Sequence, residues 1–179
     1  MVVAVNTVQH VSVGTKLYQA GWEADTTHAM APGAAIPVVV RKTADETVNN
    51  SVALQNDDAL KLTMAANEVW HVKVFILATS PTVTTDIILD FAIPAGCTAH
   101  AWYWKQDASA ALSYAHSSDI TTDLVCNTPV SAQPIFLAEL VVINAANAGD
   151  LQFRWAQNNA VAEDTKVLTN SFMICTKLA

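Results

Sequence analysis

Residues Val69–Thr79 read VWHVKVFILAT. Trp70, Val72, Val74, Ile76 and Ala78 occupy every second position, with His71, Lys73, Phe75 and Leu77 between them. An extended chain points successive side chains to opposite faces, whereas a helix repeats every ~3.6 residues. The first set is wholly apolar, so the stretch predicts a β-strand with that set on the core. The second set mixes charge with Phe75 and Leu77, so the outer face is itself partly apolar.

The same period runs outward in both directions. Upstream, Val38–Lys42 reads as a short strand, and Leu60, Leu62 and Met64 alternate with Lys61 and Thr63 over Ala59–Met64. Asn56-Asp57-Asp58 ahead of it reads as a turn, because Asn and Asp bond their own backbone there. Downstream, Asp86–Ile93 puts Ile87, Leu89, Phe91 and Ile93 on one face, and Pro94-Ala95-Gly96 closes it. In Cys97–Gln106, Trp102 and Trp104 share a face, expected to be the core, and Tyr103 takes the other. Asp107–Thr122 is small and polar and reads as a long loop, followed by a short strand at Asp123–Cys126. Pro134–Asn144 is apolar on both faces, which calls for cover on both sides. Gly149–Gln157 turns Leu151, Phe153 and Trp155 inward with Arg154 opposite, and Lys166–Leu178 is the last strand.

Strands separated by turns, with no convincing helical stretch, predict an all-β antiparallel sandwich or barrel. Residues 1–35 lack the pattern and are broken by Gly21, Pro32, Gly33 and many alanines. They read as an N-terminal extended arm, and residues 36–179 as the folded domain.

Of 179 residues, 52% are hydrophobic and only 14% charged. Ordinary soluble domains carry about 25% charged residues. Disorder is excluded, and the surface is either neutral or covered. No apolar run approaches the ~18 residues of a membrane helix, so no membrane partner is expected. The net charge of −7, with nine Lys and Arg in all, excludes nonspecific nucleic-acid binding, which needs clustered cations. The opening MVVAVNTVQHVSV has no basic segment and is not expected to be a signal peptide. Cys97, Cys126 and Cys175 show no metal-ligand spacing and read as buried free thiols, with one disulfide plus a spare as the alternative.

Four segments carry mixed polar and apolar motifs. Arg41–Ser51 reads RKTADETVNNS. Leu54-Gln55-Asn56-Asp57-Asp58-Ala59-Leu60 precedes Ala66-Asn67-Glu68-Val69-Trp70. Leu151-Gln152-Phe153-Arg154-Trp155-Ala156-Gln157 comes late, and Ser171 begins the terminal segment. Over residues 40–179 this pattern resembles a family of tailed-phage virion proteins. The resemblance implies an antiparallel jelly-roll β-sandwich, a homotrimer, and a place on the particle as capsid decoration (cement) protein or tail appendage. It implies no catalytic residue. The first 35 residues fall outside it.

No enzyme chemistry is legible. His10, His28, His71, His100 and His116 form neither HxH nor HExxH, and Glu68 and His71, three apart, fall on opposite strand faces. There is no Gly-rich phosphate loop and no GxSxG. Asp45-Glu46, Asp57-Asp58, Asp86 with Asp90, and Glu163-Asp164 read as structural, since calcium needs about six converging oxygens. No cofactor, metal or catalytic residue is expected.

The preferred expectation is therefore adhesive: a trimer that stabilises a capsid lattice by contact with the major capsid protein. Candidate trimer contacts are Phe75, Leu77, Ile135, Leu137, Val141, Ile143 and Arg154. Candidate capsid contacts in the arm are Val3, Val5, Val11, Tyr18 and Trp22. The competing expectation is a tail-fibre or spike domain, partnered by tail proteins, that binds host glycans. Tyr103 is its candidate contact, with the 107–122 loop beside it. The protein would be made in the host cytoplasm and reside on the virion.

Overall fold

The computed structural model describes residues 36–82, 85–106 and 111–179. The strands are β1 (Val38–Arg41), β2 (Glu46–Val48), β3 (Gln55–Met64), β4 (Val69–Thr79), β5 (Ile87–Ala92) and β6 (Thr98–Gln106). They continue with β7 (Leu112–Ser117), β8 (Leu124–Cys126), β9 (Gln133–Ile143), β10 (Gly149–Gln157), β11 (Thr165–Val167) and β12 (Phe172–Lys177). No helix occurs among the described residues.

The strands form two antiparallel sheets. The smaller has the order β3-β10-β5-β8, and the larger runs β1-β12-β4-β9-β6-β7, with β11 and β2 attached at β4. Within this order β3 pairs β10, β4 pairs β9, β5 pairs β8 and β6 pairs β7. That nesting is one long hairpin rolled up across two sheets, the topology of a jelly roll. β12 and β1 widen the larger sheet beyond β4. Residues 36–179 form one unit.

The core lies between the sheets. Trp70, Val72, Val74, Ile76 and Ala78 of β4 meet Leu89 and Phe91 of β5 and Leu151, Phe153 and Trp155 of β10, all buried. Phe91 and Phe153 contact edge-on, with centroids 5.5 Å apart, a favoured aromatic arrangement. Alternation on β4, β5 and β10 thus falls as the sequence predicts.

Four local expectations are corrected. β3 begins at Gln55, so Asp57 and Asp58 lie in a strand and not in a turn. β7 occupies part of the expected 107–122 loop, because Tyr114 and His116 pair opposite Trp104 and Trp102; residues 107–110 lie outside the described residues. The final strand divides into β11 and β12 around Asn170, whose φ of 69° is the left-handed region Asn tolerates. On β6 the faces are reversed: Trp102 and Trp104 are exposed, at 59% and 49%, while Tyr103 turns inward onto Phe136, centroids 5.9 Å apart. Alternation says which residues share a face. It does not say which face is inside when both sets are apolar. Here Ala99, Ala101 and Tyr103 take the inner positions.

Candidate functional site: the outer face of the larger sheet

Key polar residues of the four sequence motifs are committed to the fold. Lys42 is 2% exposed, and its ammonium donates to Asp57 Oδ2 at 2.6 Å and Glu46 Oε2 at 2.9 Å. Asp57 Oδ1 accepts from the backbone N–H groups of Ala59 and Leu60. The RKTADET and LQNDDAL segments therefore meet in one buried ion cluster, which joins the end of β1 to the smaller sheet. Asn67 takes φ 62°, and Glu68 Oε2 behind it accepts from Ala65 N–H and Trp70 Nε1. Gln152 Nε2 donates to the carbonyls of Asp57 and Phe153. Gln157 ties Ser51, Val161, Glu163 and Thr165 together. Ser171 Oγ accepts from Leu77 N–H at 3.0 Å. Buried polar groups need such partners, so these motifs record folding requirements and leave the chemistry to be sought elsewhere.

What remains is the outward face of β12, β4, β9, β6 and β7. The register aligns Phe172, Phe75, Leu137, Trp104 and Tyr114 in one row across the strands. Phe75 and Phe172 stack at 5.3 Å and 14°. Leu137, Trp104 and Tyr114 are exposed. Phe172, Phe75, Leu137 and Trp104 of this row, with Ile174, Lys73 and Glu139, border a shallow apolar hollow of about 270 Å³. The neighbouring row reads Ile174, Lys73, Glu139, Trp102, His116. Lys73 Nζ sits 2.9 Å from Glu139 Oε1, and His71 Nε2 4.0 Å from Glu139 Oε2. The hydrogen bond from Lys73 holds the Glu139 carboxyl below its ordinary range.

A second hollow, about 460 Å³, opens beside this row and is lined by His71, His100, Trp102, His116, Glu139 and Val141 among others. Trp102 leans on His116, with ring centroids 5.2 Å apart and planes at 58°. Among the described residues no three His, Cys, Asp or Glu side chains are placed to hold a metal ion.

The sequence candidates divide accordingly. Phe75, Leu77, Leu137, Val141 and Ile143 all lie on this outer face. Ile135 does not: it is 1% exposed. The β4–β9 register shifts between Ile76 and Leu77, whose partners are Phe136 and Pro134, so Ile135 is the extra residue of a bulge and joins Phe136 inside. Arg154 is on the other sheet, where its Nε donates to Asp90 Oδ1 at 2.9 Å and its Nη2 to Asp90 Oδ2. That pair satisfies Arg154 within the chain, away from the apolar rows. Burial raises the Asp90 carboxyl, against the pull of Arg154. Tyr103, the glycan candidate, faces the core. Val3, Val5, Val11, Tyr18 and Trp22 lie outside the described residues. The residues that sequence reasoning missed are Trp102, Trp104 and Tyr114; the double-sided apolarity of β9, which pairs with β6, was the signal that the outer face also carried apolar groups.

No protein-family model matches the chain, and no curated protein does. Among solved structures it is similar to particles of infectious bursal disease virus. The structure of the Gt strain is 10% identical with a TM-score of 0.19, covering 80% of this chain and 42% of that one. The crystal structure of the VP2 subviral particle is 8% identical with a TM-score of 0.21, covering 82% and 42%. The chain thus spans well under half the length of these proteins. The fold assignment rests on the strand pairing described above.

Proposed function

We propose that this is a structural virion protein of a tailed phage, a trimeric capsid decoration (cement) protein that stabilises the capsid lattice through subunit and capsid contacts. The observation that carries the reading is the row Phe172–Phe75–Leu137–Trp104–Tyr114 on an outward sheet face. Monomeric proteins rarely leave contiguous apolar patches above a few hundred Å² open to water. Interface cores are rich in aromatic residues and poor in charge, as this row is. The jelly-roll pairing agrees with the fold that the sequence resemblance implies. The partners are then two further copies of the chain and the major capsid protein, with no nucleic acid and no membrane; the protein is made in the host cytoplasm and resides on the virion.

Purified protein mixed with undecorated heads should co-sediment with them, and a variant lacking residues 1–35 should not. Binding retained without those residues would place the capsid contact on the folded domain. No binding by the intact chain would favour the tail-fibre or spike reading. That second reading, a domain binding host surface glycans, draws on the exposure of Trp102.

A further inference from the structure

The geometry points to a binding site for a neutral pyranose sugar in the hollow between Trp102 and Glu139. The inference deepens the glycan reading above by naming the site and the ligand class. It holds equally for a glycan-binding decoration protein.

The hollow is about 460 Å³, within the ~300–1,000 Å³ range of small-ligand sites. One wall is the indole of Trp102, 59% exposed, which is an unusual state for so large an apolar surface unless something covers it. A pyranose presents a face of C–H groups and an equator of hydroxyls. The C–H face matches the electron-rich face of an indole. The hydroxyls need groups that both donate and accept. His71, His100 and His116 surround the hollow, and an uncharged imidazole offers one donor and one acceptor. Glu139 adds acceptor oxygens at the rim.

Charge decides against an ionic ligand. Glu139 is the one carboxylate among the described residues lining the hollow and is paired with Lys73 at 2.9 Å, and no lysine or arginine among them lines it, so a neutral ligand fits best. A flat apolar surface of a second copy also fits less well here than on the adjoining row. The apolar row turns Phe172, Phe75 and Leu137 outward, whereas this hollow is ringed by imidazoles.

The test uses the intact protein and a panel of methyl glycosides of glucose, galactose, mannose and N-acetylglucosamine with their β-linked disaccharides. Binding is read by saturation-transfer NMR. At least one glycoside should bind with Kd near ~1 mM, an ordinary value for one shallow site. Trp102→Ala should weaken it about ten-fold or more, and Trp102→Phe less. Val52→Ala, exposed and outside both the hollow and the apolar row, should leave it unchanged, and all three variants should keep Tm within about 2 °C. The site is overturned if no glycoside binds at ~10 mM, or if Trp102→Ala binds as well as the parent. It is equally overturned if Trp102→Ala sediments as a smaller species, which would make the hollow a seam between copies. Competition with phage adsorption to cells separates the two readings. Confirmed glycoside binding without any effect on adsorption keeps the site and removes the host-receptor role.

Discussion

Lys42→Met should unfold the domain far more easily than its single-residue scale suggests. Lys42 and Asp57 are 2% and 0% exposed and 2.6 Å apart, and Glu46, at 14% exposure, is the second partner of Lys42 at 2.9 Å. Methionine keeps most of the apolar stem. What it removes is the ammonium that, among the described residues, the Asp57 carboxylate contacts, leaving that charge with two backbone N–H donors. Breaking a buried pair from one side costs about 3–5 kcal/mol. With a urea slope of about 2 kcal/mol/M for a domain of this size, the unfolding midpoint should fall by roughly 2 M. Lys42→Met with Asp57→Asn removes both charges, keeps an oxygen for Ala59 and Leu60, and should recover about 2 kcal/mol or more of the loss. Urea unfolding of the parent, both single variants and the double variant supplies the full cycle. A Lys42→Met loss under about 1 kcal/mol, or a double variant no better than the sum of the singles, would refute the argument that this cluster fastens β1 to the smaller sheet.

Other consequences are as direct. Trp155, wholly buried, should lose about 3–5 kcal/mol on substitution by Ala, while Trp104→Ala on the outer face should change monomer stability by no more than about 0.5 kcal/mol; thermal melts at low concentration compare them. Burial pushes the thiols of Cys126 and Cys175 up to about 12 and about 11, so both should resist a disulfide reagent at about pH 8 and react at once in urea. The Lys177 hydrogen bond to Glu68, supported by Trp70, lowers the Glu68 pKa from its ordinary value of 4.5. Its stabilisation is therefore complete above that value and lost as pH falls through the lower folded pKa. Glu68→Gln should flatten the stability curve between about pH 5 and 2, as read by urea midpoints at each pH.

Much of the fold is legible in the sequence because burial enforces it. β4, β5 and β10 each have one wholly apolar set of alternate residues, and that set is the core. β6 shows the limit. Trp102 and Trp104 are the largest residues on the strand, yet the inner positions go to Ala99, Ala101 and Tyr103, with Tyr103 lying on Phe136 of β9. Nothing within β6 alone encodes that choice; it depends on the β6–β9 register. The motifs were legible as a pattern but not as a role. Asp57 looks like a turn carboxylate until Lys42, 15 residues earlier, is seen to reach it. Ile135 was misplaced by a bulge, which moves one residue across the sheet without leaving a mark in local periodicity. The other five candidates on β4 and β9 fall on one face, while Arg154 pairs with Asp90 on the smaller sheet, because strand order and not local periodicity decides which sheet β10 joins.

In the proposed trimer the apolar row across β12, β4, β9, β6 and β7 joins copies of this chain. Sedimentation velocity on the intact protein at about 10 μM tests it most directly. One species of about 57 kDa, three times the 19.1 kDa chain, is expected, and Leu137→Glu should convert it to monomer with its fold intact. A single 19.1 kDa species for the unaltered protein, or a trimer indifferent to Leu137→Glu, would contradict it.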